Sequence, residues 1–277
     1  MILRHAFLAV ACLTAVNMPA LAGQAAPTLE MSADGEIQIG VDGRVSDYRL
    51  QSKLPAKLAE LIDRDVRGWV FVPVLVDGVP VIAKTAMHLD LKAVPAANDS
   101  YTMRIANVTF GEPRRSHDHE RPPVYPDAAV AAHLGAKVLL YVRLDETGKV
   151  VEVQPYQTSL DARASSENEA EHWRKMFEKA SVTAAKGWRF DLSETVNGRS
   201  IGTTAIVPIV YNVVGAGTQK PGPGEWKAYL PGPIHPAPWI KSEQVADNRD
   251  LSGLKDGQAL SVDSRFRLKD DVIGKTL

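Results

Sequence analysis

The sequence predicts an α+β fold: two tandem small modules, each an antiparallel sheet with one main helix, in the order β-β-α-β-β. Two observations lead to this prediction. Alternating apolar residues flank turn pairs such as Asp42-Gly43, a pattern typical of β-hairpins. The order of elements then recurs, with Gly43, Trp69 and Gly78 matched by Gly148, Trp188 and Gly198. Such a recurrence indicates a repeat rather than one larger fold.

The first module is predicted over residues 35–95, after a loose leader over residues 23–34. Alternation from Glu36 to Gln51 predicts a hairpin. Residues 55–67 have apolar positions at helical spacing; Pro suits the first turn and Gly68 can end the helix. Strands are then expected on both sides of the Asp77-Gly78 turn.

The second module is predicted over residues 121–215. Strands are expected from Lys137 to Leu144 and from Lys149 to Tyr156, on either side of a turn. A helix is expected from Trp173 to Ala185, after a polar insertion from Asp161 to Glu171. The last strand runs from Thr203 to Val213, after the Asn197-Gly198 turn.

Two further segments have a different composition. Residues 96–120 are predicted to be a linker that can hold one more strand, from Tyr101 to Phe110. Residues 216–277 are predicted to be a Pro/Gly-rich extended segment followed by a polar tail. We expect residues 221–240 to dock on a module, because prolines limit the entropy lost on docking and the segment carries large apolar side chains. Those side chains are Trp226, Tyr229, Trp239 and Ile240.

The first 22 residues have the features of a secretory signal peptide. Arg4 and His5 precede an apolar run from Ala6 to Val16, and Ala20-Leu21-Ala22 is a small-x-small ending. We expect cleavage after Ala22 and export to the periplasm, which would leave no cysteine and no integral membrane span. An uncleaved anchor helix is the alternative.

Composition and motifs favour a binding protein over an enzyme. A net charge of −1 offers no basic field for nucleic acid. No catalytic or phosphate-binding motif occurs, so no catalytic residue, metal ligand or cofactor is predicted. His117 and His119 could share a metal in a metal-dependent enzyme, although a solvated linker explains them better. Trp69 and Trp188 are expected in the core rather than stacked on a ligand.

The last strand carries the predicted binding site. It contains Pro208, which cannot donate to a sheet ladder, so the strand is expected at a sheet edge that can receive an added peptide strand. The alternative is that the Pro-rich tail of the same chain covers this edge. The residues assigned to partner binding alternate along the strand: Thr203, Ala205, Val207, Ile209, Tyr211 and Val213.

The second module contains a set of motif residues in a fixed order: Tyr125, Pro126, Trp188, Arg189, Phe190, Gly198 and Pro208. With these residues the second module resembles the C-terminal domain of TonB and related energy transducers. The resemblance covers residues 121–214, and the first module is similar but has Val70 where the family usually has a basic residue.

The resemblance implies a periplasmic domain that binds a short peptide of an outer-membrane receptor. This chain lacks the family's long Pro/Glu/Lys-rich spacer and has a C-terminal extension. We therefore interpret it as a non-catalytic adaptor that binds an extended peptide of an envelope protein by strand addition. A membrane-anchored TonB-like energy transducer for receptor-dependent transport is the alternative. The partner's identity and the oligomeric state are left open.

Overall fold

The computed structural model describes residues 27–96, 100–116, 122–161, 164–212, 228–240, 251 and 254–277. Antiparallel strands dominate, and the described residues include three helices, so the predicted α+β class of small sheet-plus-helix modules is confirmed. The predicted signal peptide, the His117–Glu120 cluster, Val213 and Trp226 lie outside the described residues.

The first half of the chain forms a sheet with one long helix. Its elements are β1 (Leu29–Ile39), β2 (Val45–Leu50), α1 (Ala56–Arg67), β3 (Leu75–Val76), β4 (Val79–Pro80), β5 (Ala83–Pro95) and β6 (Tyr101–Phe110). Strand β1 lies between β2 and β5, and β6 pairs with the other side of β5. The helix α1 ends at Arg67 as predicted and begins at Ala56, with Pro55 as its N-cap residue rather than in its first turn.

The prediction of a loose leader over residues 23–34 is wrong for its described end. Strand β1 begins at Leu29 because β5 is long enough to pair with it from there, Leu29 lying opposite Ala93. Leu29 itself is half exposed, so the apolar pattern gives little sign of this part of the strand.

The second half forms a four-stranded sheet in the order β14-β13-β8-β9. Its elements are β7 (Arg114–Arg115), α2 (Asp127–Ala131), β8 (Ala136–Leu144), β9 (Val150–Leu160), α3 (Glu167–Ala185), β10 (Phe190–Asp191), β11 (Thr195–Val196), β12 (Arg199–Ser200), β13 (Thr204–Tyr211) and β14 (Leu260–Ser261). The helix α3 begins at Glu167 rather than at Trp173. The reason is a capping bond, since Ser166 Oγ accepts from the amide of Glu169 at 3.2 Å.

Matched positions in the two halves make matched contacts. The amide of Phe71 donates to the carbonyl of Gly43, and the amide of Phe190 donates to that of Gly148, each at 2.8 Å. Both glycines have positive φ, 81° and 75°. A β-carbon on either would overlap the facing phenylalanine carbonyl, so only glycine fits both places. Trp69 and Trp188 are buried in the two cores, as the sequence predicts.

The two halves are joined through their strands. Hairpin β11–β12 of the second half extends the first sheet, because β11 pairs with the start of β5. The end of the region predicted to be a polar linker also packs against the second half, since β7 pairs with β10. Arg115 of β7 lies over the ring of Trp188, 4.9 Å from its centroid.

The Pro-rich segment (residues 228–240) lies extended along β9. Leu230 and Leu160 exchange both main-chain hydrogen bonds, at 2.7 and 2.9 Å, and the amide of His235 donates to the carbonyl of Tyr156. Trp239 packs with Tyr141 on the face of the sheet opposite α3. The expected docking is therefore confirmed for residues 228–240, while residues 221–227 lie outside the described residues.

The C-terminal tail (residues 254–277) crosses from the second half to the first. It contributes β14 to the second sheet, and Phe266 and Val272 then enter the core of the first half. The amide of Lys269 donates to the carbonyl of Val70, and that of Gly274 donates to the carbonyl of Ile105 at 2.8 Å. The tail thus contacts strands of both halves.

Candidate functional site

Strand β13 places its side chains in two layers. Ala205, Val207, Ile209 and Tyr211 are buried in the core beneath α3, and the hydroxyl of Tyr211 lies 2.8 Å from that of Ser181. Burial raises the pKa of Tyr211 to about 12. These predicted contact side chains therefore stabilise the module, and Val213 lies outside the described residues.

The main-chain groups at the outer side of β13 belong to the residues between those that the sequence analysis assigned to partner binding. The carbonyl of Thr203 accepts from Leu144 at 2.8 Å, so the main chain of Thr203 faces β8. Since successive residues of a strand alternate in direction, those of Thr204, Ile206, Pro208 and Val210 face outward. We call these outward-facing main-chain groups the β13 edge.

The position of Pro208 could have shown, from the sequence alone, which residues of β13 face outward. Its carbonyl accepts from the amide of Gly257 at 3.0 Å, on the outward side. The missing N–H of the proline is on the same side, so the ladder with β8 loses no bond. Because Pro is tolerated where its nitrogen faces away from the sheet, position 208 fixes which residues face outward.

The β13 edge is occupied by the C-terminal tail, so β13 is not the outermost strand of its sheet. Strand β14 pairs antiparallel with β13 at Ala205 and Ile206, and the amide of Val262 donates to the carbonyl of Thr204 at 2.9 Å. The alternative of a self-covered edge is therefore present in the structure. The covering residues come from the polar tail, whereas the Pro-rich segment lies on the opposite edge, at β9.

Two carboxylates complete the cover at the ends of β14. Asp263 Oδ1 accepts from the amide of Thr204 at 2.7 Å and from the hydroxyl of Thr203 at 2.6 Å. Asp256 Oδ1 accepts from the amide of Val210 at 2.9 Å. Side chains thus satisfy two donors at the β13 edge where the tail offers no ladder bond.

Glu194 anchors the tail just beyond the edge. Its side chain is buried, it accepts from the hydroxyl of Ser264, and it lies 3.5 Å from the amide of Arg265. Burial raises the pKa of this carboxyl above its ordinary value, and the Ser264 hydroxyl offsets part of that rise.

The remaining motif residues serve the fold. Trp188 and Phe190 are buried in the core, and Arg189 is exposed while its carbonyl accepts from Ser116. Tyr125 donates to the carbonyl of Leu134 at 2.8 Å, and the following Pro126 is the N-cap residue of α2. Gly198, the last of the set, has a φ of 76° in the hairpin turn.

Within the described ranges, no group of three or more His, Cys, Asp or Glu side chains is placed to hold a metal. The proposed ligands His117 and His119 lie outside those ranges. Among the described helices, none is long and apolar enough to cross a membrane.

Comparison with known proteins gives a partial match. No protein-family model matches the chain. Two curated proteins named "Protein TonB", from strains B100 and ATCC 33913 of Xanthomonas campestris pv. campestris, are each 32% identical over 94 residues. The match covers 34% of this chain and 36% of each relative, so the chain spans about a third of their length. A TonB-like region is therefore supported for part of the chain.

Proposed function

We propose that this protein is a non-catalytic periplasmic adaptor that binds an extended peptide of another envelope protein by adding it to the β13 edge. The pairing of β14 with β13 carries this proposal, because a segment from elsewhere in the chain already lies antiparallel on this edge, which supports the addition of a peptide strand there. The similarity to proteins named TonB supports an envelope role related to transport. By the family resemblance, a short peptide of an outer-membrane receptor is the preferred partner.

In this proposal the C-terminal tail acts as a built-in competitor. Its ladder with β13 is short, at Ala205 and Ile206, and beyond it the tail is held by main-chain bonds from Gly257 and Val262 and by the side chains of Asp256 and Asp263. Phe266 stays buried in the first core and keeps the tail at a high effective concentration. A partner must therefore exchange with residues 254–263, so the affinity of the edge depends on the stability of its cover.

A labelled peptide with the sequence of residues 254–263 tests this exchange. Fluorescence anisotropy should detect weak binding to the unaltered protein and tighter binding to the Asp256→Ala/Asp263→Ala variant. Each 1.4 kcal/mol of cover stability removed should raise the apparent affinity about tenfold. Asp270→Ala, an exposed acidic position further along the tail, is the matched control and should bind like the unaltered protein.

The proposal requires that the edge, once weakened at its cover, takes the peptide. A double variant that stays folded by circular dichroism and yet fails to bind would contradict it. Ile209→Pro gives a second measure, because it should abolish peptide binding by disrupting β13. Receptor-derived peptides should then compete with the labelled probe if the family's partner class applies.

A membrane-anchored energy transducer is the second candidate, and the apolar run from Ala6 to Val16 is the observation that favours it. The two candidates differ in the mature N-terminus. Mass spectrometry of the protein from its native envelope should give a chain that begins at Gly23 if the protein is an exported adaptor. A chain that begins at Met1 in the membrane fraction would replace the adaptor with the transducer.

We also propose that the two halves are copies of one module, residues 35–95 and 121–215. The paired bonds of Phe71 with Gly43 and of Phe190 with Gly148 support this relation. The order of pairing supports it further, because in each half the first strand lies between the second strand and the strand that follows the helix and short hairpin.

A further inference from the structure

The face of the second sheet that lies opposite α3 carries an apolar cluster to which both covering segments contribute. Its buried members are Leu139 and Tyr141 of β8, Ile206 of β13 and Ala237 of the Pro-rich segment. The partly buried side chains packed against them include Trp239, Ile240, Leu254 and Val262. We call this the shared cluster, because the Pro-rich segment and the C-terminal tail both bury apolar side chains on it.

The shared cluster connects the two edges of the sheet. The Pro-rich segment lies on β9 and the tail lies on β13, with β8 between these strands. Trp239 lies over β8, where the guanidinium carbon of Arg143 is 5.9 Å from its ring centroid. Tyr141, two residues before Arg143, lies opposite Ile206 of β13, and Ile206 pairs with Leu260 of the tail. A continuous row of residues therefore runs from one cover to the other.

The Pro-rich segment is held on β9 by specific contacts. Gln157 Nε2 donates to the carbonyl of Gly232 at 2.9 Å, and Arg174 Nη2 donates to the carbonyl of Pro231 at 3.3 Å. A β-carbon on Gly232 would lie 2.3 Å from the carbonyl oxygen of Thr158, so glycine is needed where the segment approaches β9. A substitution at position 232 should therefore loosen the segment without changing the tail or the shared cluster.

Two buried side-chain donors oppose the docking of the Pro-rich segment. Among the described residues, Arg174 Nε and Trp239 Nε1 have no hydrogen-bond partner. The side chain of Arg174 is 3% exposed and lies against Gly232. A buried donor without an acceptor is unfavourable, because it has given up its hydrogen bonds to water. Release of the segment would return both donors to water, so the segment is suited to reversible docking.

We propose that the Pro-rich segment is a latch for the β13 edge: docked on β9, it stabilises the tail over β13, and the two covers open together. A tail that left alone would take Leu254 and Val262 from the shared cluster, and a segment that left alone would take Trp239 and Ile240. Residues that share one packed cluster are coupled in stability, and the coupling acts in both directions. This inference rests on the proposed function, since it concerns the regulation of the edge that would bind a peptide.

Hydrogen exchange tests the latch from the side of the Pro-rich segment. The amides of Thr204 and Val210 donate to Asp263 and Asp256 of the tail, so their exchange rates report opening of the β13 edge. Gly232→Ala should raise both exchange rates about tenfold, because the tail loses the support of a docked segment.

Two further variants accompany this measurement. Trp239→Ala removes an aromatic side chain from the shared cluster and should also raise the exchange rates of Thr204 and Val210. His235→Ala is the matched control, because His235 is an exposed residue of the same segment outside the cluster, and it should leave both rates unchanged. The amide of Leu140, in β8 between β9 and β13, should keep its protection in every variant, which separates opening of the edge from global unfolding.

The same coupling predicts an effect in the reverse direction. The amides of Leu230 and His235 donate to carbonyls of β9, on the other side of the sheet from the tail. The Asp256→Ala/Asp263→Ala variant should raise the exchange rates of both amides, although neither aspartate contacts the Pro-rich segment through a hydrogen bond given by the described residues.

Independent opening of the two covers would overturn the latch. It would appear as faster exchange at Leu230 in Gly232→Ala or Trp239→Ala, with unchanged exchange at Thr204. Unchanged exchange at Leu230 in both variants would overturn the latch as well, since the segment would then depend on neither contact. The proposed function would survive these results if the double aspartate variant binds the 254–263 peptide. Coupled exchange in a double variant that does not bind the peptide would contradict the proposed function and, with it, the latch.

Discussion

The outer side of β5 and the outer side of β13 are equivalent places in the two halves, but they are filled by different means. Strand β6 pairs with β5 from Met87 to Pro95, and β11 fills the remaining start of the strand. At β13 the ladder is short, and two aspartate side chains accept from the amides that it leaves over. The first edge is committed to the fold, whereas the second is held by contacts that a peptide could replace. Binding is therefore expected where the cover has the lower local stability.

The largest loss of stability is expected on substitution of the glycine that the two halves share in the turn after their first strands. Gly148→Ala would force a positive φ on a residue with a side chain and overlap the carbonyl of Phe190, so it should cost on the order of 4 kcal/mol of unfolding free energy. Gly43→Ala should behave similarly against Phe71. Gly198→Ala has the positive φ but nothing near its β-carbon, so it should cost about 1–2 kcal/mol.

Urea denaturation monitored by tryptophan fluorescence measures these three variants. Equal losses for Gly148→Ala and Gly198→Ala would mean that the contact with Phe190 does not matter. A large loss of unfolding free energy for Gly148→Ala with a small loss for Gly43→Ala would show that the two positions are not equivalent.

The second-largest effect is expected at the β13 edge, where a single substitution should weaken the cover without changing the outer side of β5. Asp263→Ala leaves the amide of Thr204 without its acceptor, which should cost about 1–3 kcal/mol. Hydrogen exchange should become faster at Thr204 while His88, whose main chain faces β6 in the middle of β5, keeps its protection. Exchange that becomes faster at both amides would show that the two edges open together and that the β13 edge is not a separate unit.

The sequence predicted the parts of this molecule that depend on local pattern. The glycine turns, α1, the buried Trp69 and Trp188 and the alternation of β13 all follow from residues close in the chain. The start of β1 and the true start of α3 did not, because one depends on pairing with β5 and the other on the Ser166 cap.

The cover of the β13 edge could not be predicted for a different reason. Asp263 lies 60 residues from Thr203, and no spacing or motif links the two. The assignment of the contact residues was one position out of phase for a reason that was readable in the sequence. Pro208 tolerates its missing N–H at the outward side, which assigns the edge to Thr204, Ile206, Pro208 and Val210.

The third prediction compares the two main helices. The helix α3 begins with a side-chain cap from Ser166, whereas Pro55, the N-cap residue of α1, provides no side-chain cap. Ser166→Ala should therefore cost about 1 kcal/mol, and Ser166→Asp should restore the loss because it keeps an acceptor. Thermal unfolding of the three proteins measures this. An alanine variant as stable as the original would remove the cap as the reason why α3 begins early.

The smallest expected effect is a pH dependence of stability, caused by a buried position at which the two halves carry different side chains. Val74 and Glu194 occupy matched places, since each carbonyl closes its hairpin by accepting from Val81 or Ile201. Both side chains are buried, but only the second can titrate. Burial raises the pKa of Glu194, and the nearby Asp263 adds to the rise while Arg265 and the bond from Ser264 oppose it.

Because the folded protein holds this proton to a higher pH than the unfolded chain, its contribution to stability is full below about the ordinary pKa of 4.5 and is lost as the pH rises through the raised value. Glu194→Gln should remove this loss, so the difference in unfolding free energy between the two proteins should change across that window and be constant outside it. Glu112, whose pKa burial also raises, is present in both proteins and cancels in the difference. A difference that does not vary with pH would mean that Glu194 titrates alike in both states. The tail would then be anchored to the second half by the Ser264 bond without any dependence on the charge of Glu194.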